Sequence, residues 1–286
     1  MECKICGSAS ERVFSKKLLQ KYDVDYFRCP HCGFLQTQEP TWLDEAYNQA
    51  MSPLDIRLVA RPLELAEITR EILIRYFDAD GRFLDYGGGT GLFTRRMRDL
   101  GLDFYRQDKY ATNVFAQYFD IQDLPDPEKG FELVTCFEVL EHLPDPWVEL
   151  DQVFALSKNV LCSTWLQPDD TIETLSNWNY LLTLHGQHVS FYTRRSMEII
   201  ADRYGVHYYT NGRHLHVFSE KKLDGDVFDR GDVGAIANAK RLAYGIVNRI
   251  FGLIRPRTKA LPQRPTHTFT DSAKVTQLVM RDLKGD

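Results

Sequence analysis

A run of glycines between an apolar strand and a helix limits what this chain can fold into. A short predicted strand ends at Asp85, the sequence Tyr86-Gly87-Gly88-Gly89-Thr90-Gly91 follows, and a helix then runs to Gly101. Glycines in such a turn let a ligand lie against the backbone, and the start of the helix offers free N–H groups. The feature is typical of nucleotide-binding α/β folds, although a tight structural turn could also use it.

The spacing of these glycines discriminates between ligands. The dinucleotide pattern G-x-G-x-x-G would need glycine where Leu92 or Thr94 stands. An acid followed by G-x-G-x-G instead suits a ligand that has no pyrophosphate and carries an ammonium–carboxylate head. The charge of Asp85 favours a cation near the loop and would repel a phosphate. We therefore expect the ligand to contact Asp85, Gly87, Gly89 and Gly91.

Two further acids follow at the ends of later strands. Asp108 ends a strand over 103–108, where a carboxylate can accept hydrogen bonds from both hydroxyls of a ribose. Asp120 ends a weak third strand, where it would meet the exocyclic amine of an adenine. Ile121 beside it and Phe137, at the end of strand 131–137, are expected to contact the same ligand.

Strands alternate with helices along the rest of the chain. A helix after Pro146 separates strand 131–137 from strand 159–165, and a helix over 193–204 precedes two strands joined at Gly212. This alternation predicts a parallel sheet with helices on both faces. The last two strands have no helix between them, so they must pair antiparallel at the edge.

Four cysteines near the N-terminus form two C-x-x-C pairs. Four thiolates converging from two turns complete a tetrahedral zinc site and leave no position for a substrate. Chance spacing and a redox pair are the alternatives, but a redox C-x-x-C would need a single pair on a βαβ unit. Cys136 and Cys162 lie in apolar runs and are expected in the core. The predicted ligands of a structural zinc are Cys3, Cys6, Cys29 and Cys32.

Composition narrows the functional classes. The formal net charge is −5 and the isoelectric point is near 5.9, whereas binding to bulk nucleic acid favours a basic surplus. We find no apolar run of about 18 residues and no secretory signal, so we expect a cytoplasmic protein with reduced thiols.

The motifs together resemble a known family. DYGGGTG, the acid at Asp108, FDIQDLP and FELVTCFEVLEHLPDP are similar to successive motifs of class I S-adenosylmethionine-dependent methyltransferases, over about residues 64–220. The resemblance implies a Rossmann-like α/β fold, with a mostly parallel seven-stranded sheet and an antiparallel edge hairpin. It also implies S-adenosylmethionine as cofactor.

The cysteine segment resembles the N-terminal zinc module of nucleotide-sugar C-methyltransferases. In that group an aromatic, an acid and a histidine before a Ser-aromatic pair carry the catalytic base, and the comparable stretch 184–191 places His188 there. His185 stands where the group has an aromatic and Gln187 where it has an acid. We expect this chain to lack the large C-terminal domain of that group.

General chemistry supports a histidine base as well. A sulfonium already carries an activated methyl group, so an enzyme accelerates the transfer mainly by aligning donor and acceptor. A hydroxyl or carbon acceptor must in addition lose a proton. His188 follows the fifth strand, where open α/β sheets place ligand crevices. A plain backbone hydrogen bond is the alternative role for His188, and His142, after the fourth strand, is the rival base.

Four regions are expected along the chain. They are a zinc ribbon over 1–40, a helical cap over 41–77, the cofactor-binding domain over 78–220 and a basic helical extension over 221–286. Within the cap, Trp42, Tyr47 and Met51 are expected to cover the cofactor. The extension carries no acid from Val233 to Thr270 and an apolar stripe over 234–254. That stripe could dock on the domain, form a dimer or lie on an anionic membrane surface, and the basic residues could form a lip for a phosphorylated substrate.

The leading functional hypothesis is methyl transfer to a small acceptor, a sugar-like or glycan-type hydroxyl or carbon. The alternatives are a zinc-containing RNA base methyltransferase, against which the acidic charge counts, and a binding module that has lost the chemistry. The expected location is the cytoplasm, with peripheral contact to the inner face of the membrane as an option for the extension.

Overall fold

The computed structural model describes residues 1–47, 55–168 and 171–229, with positions 273, 276, 277 and 280. Met51 and the predicted stripe over 234–254 lie outside these residues. Within the described part of the chain, no helix is long and apolar enough to cross a membrane.

Two sheets organise the described chain. The N-terminal sheet has the order β1-β2-β3-β8 and the central sheet the order β5-β4-β6-β7-β10-β9. The N-terminal strands are β1 (Glu11–Leu18), β2 (Tyr22–Arg28), β3 (Leu35–Thr37) and β8 (Ser190–Phe191). The central strands are β4 (Arg82–Tyr86), β5 (Asp103–Gln107), β6 (Leu133–Phe137), β7 (Val160–Ser163), β9 (His207–Thr210) and β10 (Leu215–Ser219).

Helices connect these strands, and six α-helices have bounds within the described residues up to 229. They are α1 (Leu43–Ala46), α2 (Ala60–Tyr76), α3 (Leu92–Asp99), α4 (Pro146–Leu156), α5 (Ile172–Ser176) and α6 (Arg194–Tyr204). Local sequence explains the start of α4, because Asp145 accepts from the Trp147 N–H at 3.1 Å and Pro146 occupies the first turn. Single 3₁₀ turns lie at Ile121–Asp123, Pro127–Lys129, Leu140–His142 and Asn179–Leu181.

The central sheet is buried on both faces. Strands β4 to β7 are parallel, and β10 pairs antiparallel with both β7 and β9, as predicted. Neighbouring strand residues alternate between two core clusters: Phe83 and Leu133 pack on one side, and Leu84 and Val134 on the other. Burial on both faces is typical of parallel sheets and explains their nearly continuous apolar runs.

The predicted seventh strand is not formed among the described residues. Where a third strand was expected, a single parallel bridge joins Arg106 to Asp120. The segment between Lys109 and Gln117 is too short for a crossover helix, so the chain returns to the sheet edge for only one residue pair. Within the part of the chain that the structure describes, the central sheet therefore has six strands rather than seven.

The N-terminal module does not stand apart from the rest of the chain. Its strand β3 pairs antiparallel with β8, which follows His188 in sequence. Cys3, Cys29 and Cys32 belong to the core cluster that includes Phe154 and Phe218 of the central domain. The module and the central domain thus share a packed interface.

Candidate active site

One cavity of about 1160 Å³ opens beside the carboxyl ends of β4, β5 and β6. This is the edge at which open α/β sheets bind ligands. The glycine turn and Asp108 line one part of it, and His142 and His188 line another. The structure therefore brings five of the eight predicted cofactor residues and both candidate bases to the same cavity; the five are Asp85, Gly87, Gly89, Asp108 and Phe137.

The glycine turn is held against the neighbouring strand. The N–H groups of Gly87 and Gly88 donate to the Gln107 carbonyl at 2.8 and 3.2 Å. Gly89 has a φ of +53°, and a Cβ built there would meet no atom within 4 Å, so its open side belongs to the cavity. Gly91 differs: it precedes α3 and an added Cβ would lie 2.8 Å from the Asn113 side chain, so it serves packing.

Asp85 is a buried acid beneath this turn. Its carboxylate accepts from Thr135 Oγ1 at 2.9 Å and from Thr94 Oγ1 at 3.2 Å, and the residue is only 3% exposed. Burial raises the pKa of Asp85 to about 7, against the lowering effect of the two hydroxyls. A cationic group placed beside Asp85 would favour its charged form, which is the role predicted for it.

Asp108 organises the loop after β5. One carboxylate oxygen accepts from the Gly89 N–H at 2.9 Å, and the other accepts from the N–H groups of Tyr110 and Ala111 at 2.8 and 2.7 Å. These bonds fix the carboxylate at the cavity wall while leaving lone pairs for a ligand hydroxyl. The predicted hydrogen bonds between Asp108 and the hydroxyls of a ribose would form at this carboxylate.

The remaining predicted cofactor residues are divided. Phe137 lines the cavity, but neither Asp120 nor Ile121 does. Asp120 accepts from Arg106 Nε at 2.5 Å, and Arg106 also donates to the Gly89 and Ala111 carbonyls. In this arrangement Asp120 fixes the guanidinium behind the turn, and an adenine contact by Asp120 stays a prediction.

The two candidate bases face each other. The rings of His142 and His188 are perpendicular, with centroids 4.8 Å apart. His188 Nδ1 lies 2.8 Å from the Tyr180 carbonyl, which can only accept, so Nδ1 carries the proton and Nε2 is the basic atom. His142 Nδ1 lies 2.9 Å from the Tyr47 hydroxyl. Burial lowers the pKa of His142 to about 4 and that of His188 well below its usual value, so both are neutral at pH 7.

Charged residues missed by the sequence analysis surround this pair. Arg61 forms two ion pairs: its Nη2 lies 2.5 Å from Asp55 Oδ2, and its Nη1 lies 3.4 Å from Glu138 Oε2. Glu138 directly follows β6 and has a φ of +54°, a strained backbone conformation that clusters at functional sites. Its place at the carboxyl end of a predicted buried strand was the signal that could have identified it.

A buried acid lies behind the histidines. Glu141 accepts from the Tyr180 hydroxyl at 2.5 Å, and burial raises its pKa to about 8. One ligand atom each from Glu141, His142 and His188 lie within 4.8 Å of one another, so this set could also hold a cation. Glu141 itself does not line the cavity.

The four N-terminal cysteines form a compact cluster. Their sulfurs all lie within 4.8 Å of one another, with Cys3–Cys32 at 3.6 Å and Cys6–Cys29 at 3.4 Å, and all four thiols are free. Tetrahedral zinc with Zn–S bonds of about 2.3 Å requires sulfurs roughly 3.8 Å apart. The cluster therefore fits a Cys₄ zinc ion.

Comparison with known proteins decides the family. Residues 59–211 match the family model described as "Methyltransferase domain", which is more than half of the chain. The chain belongs to this methyltransferase family. The match covers the glycine turn, Asp108 and both candidate bases. The predicted Rossmann-like α/β fold and the prediction of a methyltransferase are thereby confirmed.

Individual relatives of this methyltransferase are distant. Two ubiquinone biosynthesis O-methyltransferases, from Psychrobacter cryohalolentis and Psychrobacter arcticus, are each 30% identical over matches that cover 33% of this chain and 48% of the relative. The chain thus spans about half the length of these curated relatives.

Solved structures are more distant still. An O-methyltransferase family protein from Burkholderia thailandensis is 13% identical with a TM-score of 0.42, covering 64% of this chain and 65% of that one. A SAH-bound methyltransferase of calicheamicin biosynthesis is 14% identical with a TM-score of 0.36, covering 55% of each chain. The family assignment therefore rests on the sequence match.

Proposed function

We propose that the protein transfers the methyl group of S-adenosylmethionine to a hydroxyl of a small, sugar-like acceptor. The observation that carries this proposal is the single cavity that joins the glycine turn and Asp108 to the neutral histidine pair. The family membership supplies the reaction class, and the curated O-methyltransferase relatives favour oxygen over carbon as the methylated atom.

The donor half of the cavity has groups for each part of S-adenosylmethionine. The open side of Gly89 gives room for the ligand against the backbone, and Asp108 offers its carboxylate to the ribose hydroxyls. Asp85 supplies negative charge for the amino group of the methionine moiety. The sulfonium of the donor supplies an already activated methyl group, so the chain needs to contribute alignment and proton removal.

The acceptor half combines aromatic faces with polar groups. Trp165, Tyr47 and Tyr180 line it together with Arg61 and Glu138. Apolar ring faces beside a few fixed polar groups suit a compact ligand with several hydroxyls.

We assign proton removal to His188. Its Nδ1 proton is held by a backbone carbonyl, which leaves Nε2 free to accept a proton from the acceptor hydroxyl. Because burial keeps the imidazole neutral, His188 needs no prior deprotonation at pH 7. His142 is the alternative base on the opposite side of the pair.

We further propose that Cys3, Cys6, Cys29 and Cys32 hold a structural zinc ion, because the sulfur spacing fits and no ligand position remains open. The division of the chain into four regions is also part of this proposal. The pairing of β3 with β8 joins the zinc ribbon over 1–40 to the cofactor-binding domain over 78–220.

The test is methyl transfer from S-adenosylmethionine carrying a labelled methyl group to a panel of acceptors. The panel contains hydroxylated, nucleotide-linked and lipid-linked sugars, a catechol and a transfer RNA. Labelled product from a sugar, with the label on oxygen by mass fragmentation, is the expected result. Transfer to RNA alone, or donor binding without transfer to any class, would contradict the proposal.

A further inference from the structure

A short segment directly after the N-terminal module touches both chain segments that carry the candidate bases. We call residues 42–47, which comprise α1 and its two flanking residues, the brace. One base lies in the turn Leu140–His142 after β6, and the other lies in the loop 182–189 before β8. The two are far apart in sequence, and the brace makes hydrogen bonds to each.

The first end of the brace holds the His188 loop. Trp42 is 1% exposed and its indole N–H donates to the Gly186 carbonyl at 2.7 Å, two residues before His188. Gly186 has a φ of +65°, and a Cβ there would lie 3.3 Å from Trp42 and 3.1 Å from Leu19. The indole therefore fits closely against a turn whose backbone conformation favours glycine.

Three more contacts complete the brace. The Gln187 side-chain amide donates to the Ala46 carbonyl at 2.8 Å. At the second end, the Tyr47 hydroxyl lies 2.9 Å from His142 Nδ1, and the Tyr47 ring stacks on Tyr110, 6.0 Å away, in the loop organised by Asp108. Tyr47 thus links the acceptor half of the cavity to the donor half.

We propose that Trp42 and Tyr47 are positioning residues, which hold the His188 loop and the His142 ring in the geometry that proton removal requires. The role assigned to the histidines rests on the proposed function, whereas the contacts themselves do not. Neither side chain is asked to touch the donor's adenosine or to exchange a proton with the acceptor. Their effect on turnover comes from alignment, for which small displacements are costly.

The experiment uses the full chain with Trp42→Phe, Tyr47→Phe and Tyr22→Phe. Each of the first two removes the hydrogen bond that joins the brace to one base segment, and each keeps an aromatic ring. Tyr22→Phe is the matched control, because the Tyr22 hydroxyl donates to Glu45 of the brace at 2.6 Å, so the variant removes a brace hydrogen bond that reaches neither base segment. We expect kcat to fall roughly ten- to a hundredfold in the first two variants. Donor affinity by calorimetry should stay within about twofold in all three.

A second measurement separates positioning from the reaction itself. In protein labelled with ¹⁵N-histidine, the imidazole nitrogen shifts report the tautomer of each ring. Tyr47→Phe should change the nitrogen shifts of one histidine. That signal is assigned to His142 because it is missing from the spectrum of His142→Ala, and Tyr22→Phe should leave it unchanged.

Unaltered shifts and kcat in folded Trp42→Phe and Tyr47→Phe would overturn the proposal. So would an equal loss in all three variants with a lowered melting temperature, because that result means module stability alone. If no acceptor is methylated by the wild type, the proposed function fails while the nitrogen shifts still decide the role of the brace.

Discussion

Burial sets the chemistry of individual side chains in this cavity more than their residue type does. A histidine in water has a pKa near 6.5. The sequence alone therefore predicts that the rate of a reaction with a histidine base rises with pH near that value. His188 is only 4% exposed, and its pKa is moved well below that value. The same burial raises the pKa of Asp85, because in each case the charged form loses its solvation.

The first prediction concerns His188→Ala. Loss of a positioned base should lower kcat by about 100- to 10,000-fold with little change in donor affinity. Since the base must be neutral, activity rises with pH through its pKa, and burial places that rise below pH 6.5. We therefore expect a wild-type kcat that is flat around pH 7 and falls only in more acidic buffer. The check is a pH–rate profile of both proteins, with His142→Ala beside them; loss of the acidic limb in His142→Ala alone would transfer the role to His142.

The second prediction concerns Asp85→Asn. Because the folded-state pKa is raised, the unfolded chain loses this proton first as pH increases, and Asp85 costs stability progressively from about pH 4 to 7. The neutral amide should stabilise the unliganded protein at pH 7 by on the order of 2 kcal/mol, and the gain should shrink as pH falls towards 4. Donor affinity should fall at the same time. Chemical unfolding at pH 4.5, 6 and 7.5 measures the first effect and calorimetry the second; a variant that is less stable at pH 7.5 would refute the burial argument.

At the scale of elements, local patterns gave the helices and strands wherever the chain segment was long enough to bury a face. The helix after Pro146 and the edge hairpin are formed as predicted. The third strand is not, because a one-residue bridge between Arg106 and Asp120 depends on the length of the connection rather than on the pattern. The pairing of β3 with β8 was also beyond the sequence, since two short strands separated by most of the chain carry no mutual signal.

The third prediction follows from that pairing. Zinc contributes on the order of 10 kcal/mol to the folding of a small Cys₄ module, so Cys29→Ser should unfold residues 1–40 locally. Because β8 and the His188 loop are bonded to this module, amide protection should be lost over 182–191 as well, while β4, β5 and β6 keep theirs. Hydrogen exchange followed by mass spectrometry reads both regions. Cys162→Ser is the control, as a buried cysteine outside the cluster. One zinc per chain is expected in the wild type and none in Cys29→Ser; protection retained over 182–191 would show that the loop is held without the module.

At the scale of the whole molecule, the sequence predicts which residues meet at the glycine-turn side of the cavity better than which residues meet at the histidine side. Asp85, Gly89 and Asp108 lie within or just after one strand–turn–helix unit and the next strand, so their meeting follows from the topology. The acceptor half is assembled from separate regions, including Tyr47 and Arg61, whose approach depends on tertiary packing. Sequence spacing can predict the first arrangement but not the second.

The fourth prediction uses donor binding as a probe of the folded molecule. A ligand that binds only the native state at 100 times its Kd stabilises it by about 2.7 kcal/mol, so S-adenosylmethionine should raise the melting temperature of the wild type. Asp108→Asn should lose most of this rise, because we propose that its carboxylate binds the ribose hydroxyls.

Asp120→Ala should lower the melting temperature of the unliganded protein but keep the rise caused by the donor. It leaves the guanidinium of Arg106, 5% exposed, without its partner, which should cost about 3 kcal/mol in the unliganded protein. Its melting temperature should therefore start lower, yet S-adenosylmethionine should raise it by nearly the wild-type amount, because Asp120 does not line the cavity. Thermal scans of the three proteins with and without the donor give all six melting temperatures, and S-adenosylhomocysteine serves as a second ligand with the same ribose. If Asp120→Ala abolishes the rise while Asp108→Asn retains it, the adenosine contact belongs to Asp120, as its position after the weak third strand first suggested.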